Sequence, residues 1–282
     1  MLIDKHRLKK KLKGDMTMKK NLGLNILIVL LLVFTLTAAA AAQEQDILEK
    51  VIANKKVRVG ILADYAPWGY RNAQGQYEGF DVDVANRLGE ALEVDVDLVP
   101  VESAARVGSL VSEKVDVIIA CLTPTDGRAK TINFTIPYAS NGLTIMVWAD
   151  NKDIKSYHDL AGKTIAIVRG GTADMYLPEL VPEANIVRLD SIADSVVAFK
   201  SKKSDALVEE ELMVYYEVDK DSRFKVVGEP FKSGLISFGV KKHEQEWLNY
   251  LNNFLTNLRF SGELDVFYEK WFKHKPASLA ID

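Results

Sequence analysis

The chain has 282 residues, 48% hydrophobic and 27% charged, enough to bury one large core or two smaller ones. With 36 Lys and Arg against 39 Asp and Glu, its formal net charge is −3, which argues against nucleic acid or an anionic membrane surface as a partner. A single cysteine, Cys121, excludes an internal disulfide and a thiolate metal cage, and the four histidines are scattered without ligand spacing.

Residues 1–42 read as a cleavable signal peptide. A basic leader with Lys5, Arg7 and Lys9 to Lys11 precedes an apolar run from Ile26 to Leu36, and Ala38 to Ala42 offers an Ala-x-Ala cleavage site before Gln43. Removing the 8 basic and 2 acidic residues of this segment from 36 and 39 leaves 28 and 37, a net charge of −9. The remaining 240 residues are long enough for two lobes.

Val57 to Leu62 is a predicted strand, left through a loop from Ala63 to Trp68. Tyr65 and Trp68 flank Pro67 in that loop, either as aromatic props or as a platform for a ligand. Asn72 to Gly75 is a turn. Asp81 is expected to cap a helix that carries Val84, Leu88, Ala91 and Leu92 on one face. Val94 to Val101 alternates as a strand, and Ala104 to Ser112 is helical.

Val115 to Ala120 reads as a strand buried on both faces, stopping at Thr123-Pro124-Thr125-Asp126-Gly127. Thr125 or Asp126 can cap a following helix, which places Arg128 in its first turn. A cation there opposes the helix dipole. Two readings stand side by side: Arg128 and Thr123 grip an anionic ligand, or Arg128 pairs with a nearby Asp.

The pattern then repeats. Thr164 to Val168 is a strand running into Gly170-Gly171-Thr172 and a helix from Ala173 to about Leu180. The amides at Gly171 and the Thr172 hydroxyl could receive an anion, or the glycines could serve conformation alone. Asn185 to Leu189 is a strand, Ile192 to Lys200 a helix, and Asp205 to Val208 a buried strand. Helix is expected from Glu210 onward, with Glu209, Glu210 and Glu211 as a solvated helix start or with one of them turned to a cleft to take an ammonium. Val226-Val227 and Leu235 to Val240 are strands, and Trp247, Leu251, Phe254 and Leu258 mark the core face of a helix from Glu244 to Arg259. Cys121 has no base in its sequence neighbourhood and reads as a small buried residue. Alternating strands and helices imply an α/β fold with mainly parallel sheets and right-handed crossovers, and a site in the cleft beyond the strand ends.

The ordered set Val57-Arg-Val-Gly…Tyr65-Ala-Pro-Trp68, Gly79-Phe-Asp-Val-Asp83, Asp116-Val-Ile-Ile-Ala…Thr123-x-Thr-x-x-Arg128 and Phe134-Thr-Ile-Pro-Tyr138 resembles the polar amino-acid periplasmic binding proteins. These are the extracellular solute-binding family 3 components of ABC importers. Leu160-Ala-Gly-Lys163, Gly170-x-Thr172, Asp205-Ala-Leu-Val208 and Gly262…Tyr268-x-Lys-Trp271-Phe272 extend the resemblance over essentially all of the mature chain.

The resemblance implies a two-lobed clamp, each lobe a mainly parallel sheet flanked by helices, with two crossovers between lobes. One lobe would hold 46–139 and 238–282, the other 142–235. It further implies that Arg128 binds the ligand α-carboxylate with help from Thr123, Gly171 and Thr172. The Cys121 carbonyl would meet the α-amino group, the Tyr65 loop with Trp68 would cover the ligand, and Glu210 would take the ammonium where the family usually has Asp. Leu62 stands where many members place an Asp that reads a polar or cationic side chain, so a neutral amino acid is expected. The implied partner is an inner-membrane ABC permease, met in the periplasm by a monomer that has no cofactor and no metal and is not an enzyme. A secreted cyclohexadienyl dehydratase-like enzyme and a periplasmic sensor module are the alternatives.

Overall fold

The computed structural model describes residues 45–273, so the expected signal peptide at 1–42 lies outside the described residues. Among the described residues no helix is long and apolar enough to cross a membrane. Helix α1 (Ile47–Asn54), with Asp46 accepting from the Leu48 amide at its N-terminus, leads into β1 (Lys56–Ile61). Three short strands, β2 (Asp64–Tyr65), β3 (Gly69–Arg71) and β4 (Tyr77–Glu78), form a small antiparallel sheet after it.

Helix α2 (Phe80–Leu92) corrects one expectation. Its N-cap is Gly79, at φ 136°, where a Cβ would meet the Trp68 carbonyl oxygen at 2.4 Å. Asp81 caps nothing: it is fully buried, accepting from the Cys121 amide at 2.9 Å and from the Tyr138 hydroxyl at 2.6 Å. The buried stripe of α2 runs through Val84, Ala85, Leu88 and Leu92. Ala91, expected on that face, is exposed, lying at its edge next to Val84.

Strand β5 (Asp95–Pro100), a 3-10 turn (Ser103–Ala105) and α3 (Arg106–Val111) follow. Strand β6 is confined to Val117–Ile118, although Val115 to Leu122 are all buried; Cys121, at φ 44°, turns the chain out of the strand. After α4 (Asp126–Ala129) and β7 (Asn133–Phe134) the chain leaves the first sheet. That sheet has the order β5-β1-β6-β13-β7; β5, β1 and β6 are parallel, and β13 (Gly239–Val240) runs antiparallel to β6 and β7.

The second sheet has the order β10-β9-β11-β8-β12. Its parallel part is β9 (Thr164–Val168), β10 (Asn185–Leu189) and β11 (Ala206–Glu210), with β8 (Ala139–Trp148) antiparallel to β11. Helices α5 (Thr172–Leu180), α6 (Ile192–Lys200) and α7 (Glu211–Lys220) alternate with these strands. β12 is one strand over Phe224–Ile236, bulged on either side of Phe231, so the gap expected between Val227 and Leu235 is also extended chain. The chain thus crosses between sheets twice, before β8 and after β12, and the two passages pair side by side, Ser140 opposite Leu235 and Asn141 opposite Gly234.

Helices α8 (Gln245–Phe260) and α9 (Glu263–Phe272) return to the first sheet. Trp247, Leu251, Phe254 and Leu258 are buried, as their spacing predicts, and Trp247 Nε1 donates to the Asp116 carbonyl at 2.9 Å. The Trp271 indole donates to Asp83 on α2 at 2.7 Å.

Candidate functional site

The carboxyl ends of β1, β6, β9 and β11 converge, as open α/β sheets lead one to expect. Leu62, Tyr65, Ser103, Arg106, Cys121, Val168, Gly171, Thr172, Glu209 and Glu210 line one cavity between the two sheets, with about 10 Å³ free, room for a single water. Contacts made across the sheets close it. The Tyr65 hydroxyl donates to Glu209 Oε2 at 2.9 Å, and the Thr123 and Thr172 hydroxyls lie 3.1 Å apart. Anything larger than a water enters only when these partners separate.

Arg128 is placed by its own turn: Thr125 caps α4 and accepts from the Arg128 amide at 3.3 Å. Its guanidinium is buried, and among the described residues no carboxylate bonds it, so of the two readings the pairing with an Asp is not the one seen. Nη1 donates to the Thr123 carbonyl and Nη2 to the Gly170 carbonyl, both at 2.9 Å. Burial and then the neighbouring Arg106 pull its pKa down to about 9. A guanidinium held in this way on neutral oxygens, with Glu210 acting on it only through space, can receive a carboxylate.

Glu209 and Glu210 do not start a solvated helix. They are the last two residues of β11, both buried, and α7 begins at Glu211. Glu209 is fixed from three sides, by the Val168 amide (3.0 Å), the Tyr65 hydroxyl and the Glu210 amide (3.3 Å). Burial lifts it to about 6 against those donors. Burial, then the adjacent Glu209, lift Glu210 to about 8, opposed by the Thr172 hydroxyl, Arg106 and Arg128. A carboxyl raised in this way is poised to ionise when a cation arrives.

Other expected residues divide. Leu62, Gly171 and Thr172 line the cavity, and Thr123 joins it through Thr172. Trp68 is not part of it: its ring is fully buried against Phe80 and Phe272, with centroids 5.6 and 5.0 Å away, so it props the loop from behind. The Cys121 carbonyl accepts from Arg106 at 3.0 Å, and burial pushes the thiol well up, leaving it inert as a nucleophile.

Arg106 is the residue that sequence reasoning missed. It is buried, donating from Nε to the Ser103 carbonyl, from Nη1 to the Ala120 and Cys121 carbonyls, and from Nη2 to Gly170 at 3.4 Å. A signal existed, because Arg106 shares the inward face of its helix with Ser109 and Leu110 at i+3 and i+4.

Gly170 brings the backbones of the two halves close together. At φ 71°, a Cβ there would meet Ala104 Cα at 2.6 Å, and its carbonyl carries Arg128. Gly170→Ala is expected to weaken amino-acid binding by about tenfold or more in calorimetry, through strain and blocked approach.

Two α/β halves joined by two antiparallel passages, with buried cations and carboxylates opposed across the gap, define a solute-binding clamp. Residues 57–274 match the family of bacterial extracellular solute-binding proteins, family 3, and the chain belongs to that family. It is an amino-acid-binding component of ABC transport. It is 29% identical over 239 residues to the ABC transporter glutamine-binding protein GlnH of Bacillus subtilis, covering 83% of this chain and 87% of that one. A mutant of the arginine-binding protein ArgBP from T. maritima superposes with a TM-score of 0.78 at 30% identity, over 81% of this chain and 100% of that one. The ancestral amino acid-binding protein AncCDT-1, a precursor of cyclohexadienyl dehydratase, gives 0.76 at 33% identity, over 80% and 99%.

Proposed function

We propose that the protein captures a small neutral amino acid between a lobe made of 46–139 with 238–282 and a lobe made of 142–235, and delivers it to an ABC permease in the inner membrane. The observation that carries this reading is the charge set at the cavity: Arg106, Glu209, Glu210 and apolar Leu62 line it, and Arg128, outside the lining, is near enough to act on Glu210. A zwitterion with a neutral side chain leaves that set balanced. A cationic side chain would lack a partner at Leu62.

The ligand carboxylate docks on Arg128 with the Thr123 and Thr172 hydroxyls and the Thr172 amide, while the Gly171 amide is held by the Val168 carbonyl at 3.2 Å. The ammonium meets Glu210, with Glu209 held in place by Tyr65 and Val168. Contacts to both lobes exist together only in the shut cleft, so differential affinity drives closure about the paired passages at 139–141 and 234–236. Similarity to a glutamine-binding relative fits a neutral ligand. The protein is exported through the leader at 1–42 and acts as a monomer in the periplasm.

It binds without turning its ligand over. AncCDT-1, named as a precursor of a dehydratase, is itself named as an amino acid-binding protein. A thermal-shift screen of amino acids should find that neutral ones such as L-glutamine raise the midpoint with the logarithm of concentration, while L-arginine does not. A response to arginine alone would overturn the neutral assignment. Formation of an aromatic product from prephenate or arogenate would overturn the non-enzymatic one.

A further inference from the structure

We propose that Asp64 is a positioning residue that latches the lobes: carried on β2, its carboxylate caps helix α6 of the opposite lobe and favours the shut cleft without touching the captured molecule. The inference rests on the two-lobed capture reading and goes beyond it, because it concerns what holds the clamp shut apart from the ligand.

A helix N-terminus presents amides without partners inside the helix. In α6, nine residues long, Ser191 supplies the local cap, its Oγ accepting from the Asp194 amide at 3.0 Å. The Ile192 and Ala193 amides are taken instead by Asp64 Oδ2, at 3.0 and 3.3 Å, from 128 and 129 residues away. A carboxylate is the favoured group at that end of the dipole. Asp64 belongs to the segment that continues from the first sheet, whereas α6 follows β10 in the chain and packs on β9 of the second, so these two bonds exist only while the lobes are together. On the same segment Tyr70 meets Tyr216 of α7, ring centroids 6.4 Å apart. The latch works against like charge: Glu102, Asp190 and Asp194 converge with Asp64, and Glu102 is raised by burial and by these neighbours. Arg169 engages Asp190 at 2.8 Å, and Ser191 Oγ donates to Asp194 at 2.8 Å, which leaves Asp64 the carboxylate on the free amides of α6.

Small-angle scattering on the purified protein with no amino acid added tests this. Wild type should scatter as a mixture in which the shut form is already present, and added amino acid should complete the closure. Asp64→Ala should lower the shut-to-open ratio about fivefold, the usual effect of losing a helix cap, and Asp64→Asn, which keeps an acceptor, should restore most of it. Ser191→Ala removes the cap that lies within one lobe, so it should lower the melting temperature and leave the ratio unchanged. An expanded wild type, an unchanged ratio in Asp64→Ala, or an equal shift in Ser191→Ala would overturn the proposal. Failure of amino-acid capture itself would appear in the thermal-shift screen and leave the scattering result intact.

Discussion

Arg128→Ala is expected to abolish amino-acid binding in titration calorimetry, a loss of at least about a hundredfold, while the protein remains folded. Removing one partner of a buried ion pair leaves the other charge unpaired, at about 3–5 kcal/mol, and each 1.4 kcal/mol is tenfold. The same change has little effect on stability. The native protein holds this guanidinium buried beside Arg106 and draws it down to about 9, so folding disfavours its charge. Two hydrogen bonds to the Thr123 and Gly170 carbonyls are lost, and an unfavourable buried charge is lost with them. A variant that binds as tightly as wild type would sink the assignment of Arg128 as the carboxylate receptor. A variant that unfolds would show instead that the guanidinium is structural.

Glu210→Gln carries the second large effect, again about a hundredfold or more in affinity, because an ammonium would be buried against a neutral amide. Its pH signature separates it from Arg128. Folded Glu210 holds its proton to about pH 8, against an ordinary value near 4.5. The folded state therefore binds more protons than the unfolded state between those limits, and the stability of the free protein falls as pH rises from about 4.5 to about 8. Glu209, lifted to about 6, adds to the same slope at its lower end. Binding runs the other way. The ammonium needs the ionised carboxylate, so docking at pH 7 expels a proton, and affinity climbs with pH until about 8. Calorimetry in two buffers of different ionisation enthalpy should read that released proton, and Glu210→Gln should erase it and flatten the melting profile. No released proton in wild type would place the ammonium elsewhere.

Opposite pH slopes for stability and affinity have one cause. The cavity keeps carboxyls and guanidiniums dry and only partly compensated, which costs the free protein stability and gives the guest its grip. Gly170, whose left-handed backbone against Ala104 glycine adopts without strain, permits the close approach that a side chain there would block.

Much of this protein was legible before any coordinates. The 3.6-residue spacing of Trp247, Leu251, Phe254 and Leu258 specifies a buried helix face, because a helix side chain meets its neighbours within one turn. The apolar run from Val115 and the break at Pro124 locate a strand end, and Thr125 places Arg128 at the next turn by a bond three residues long. Tertiary structure alone decided the rest. Whether Glu209 and Glu210 face water or a dry cavity depends on Tyr65, 144 residues before Glu209, and on Val168, 41 before it. Asp81 has the sequence position of a cap but spends its carboxylate on Cys121 and Tyr138, 40 and 57 residues on. Trp68 turns inward because Phe272, from the far end of the chain, packs on it. Local pattern specifies which face of an element is apolar; which polar groups are buried together is set by partners distant in sequence, and only the assembled sheets bring those partners within bonding distance.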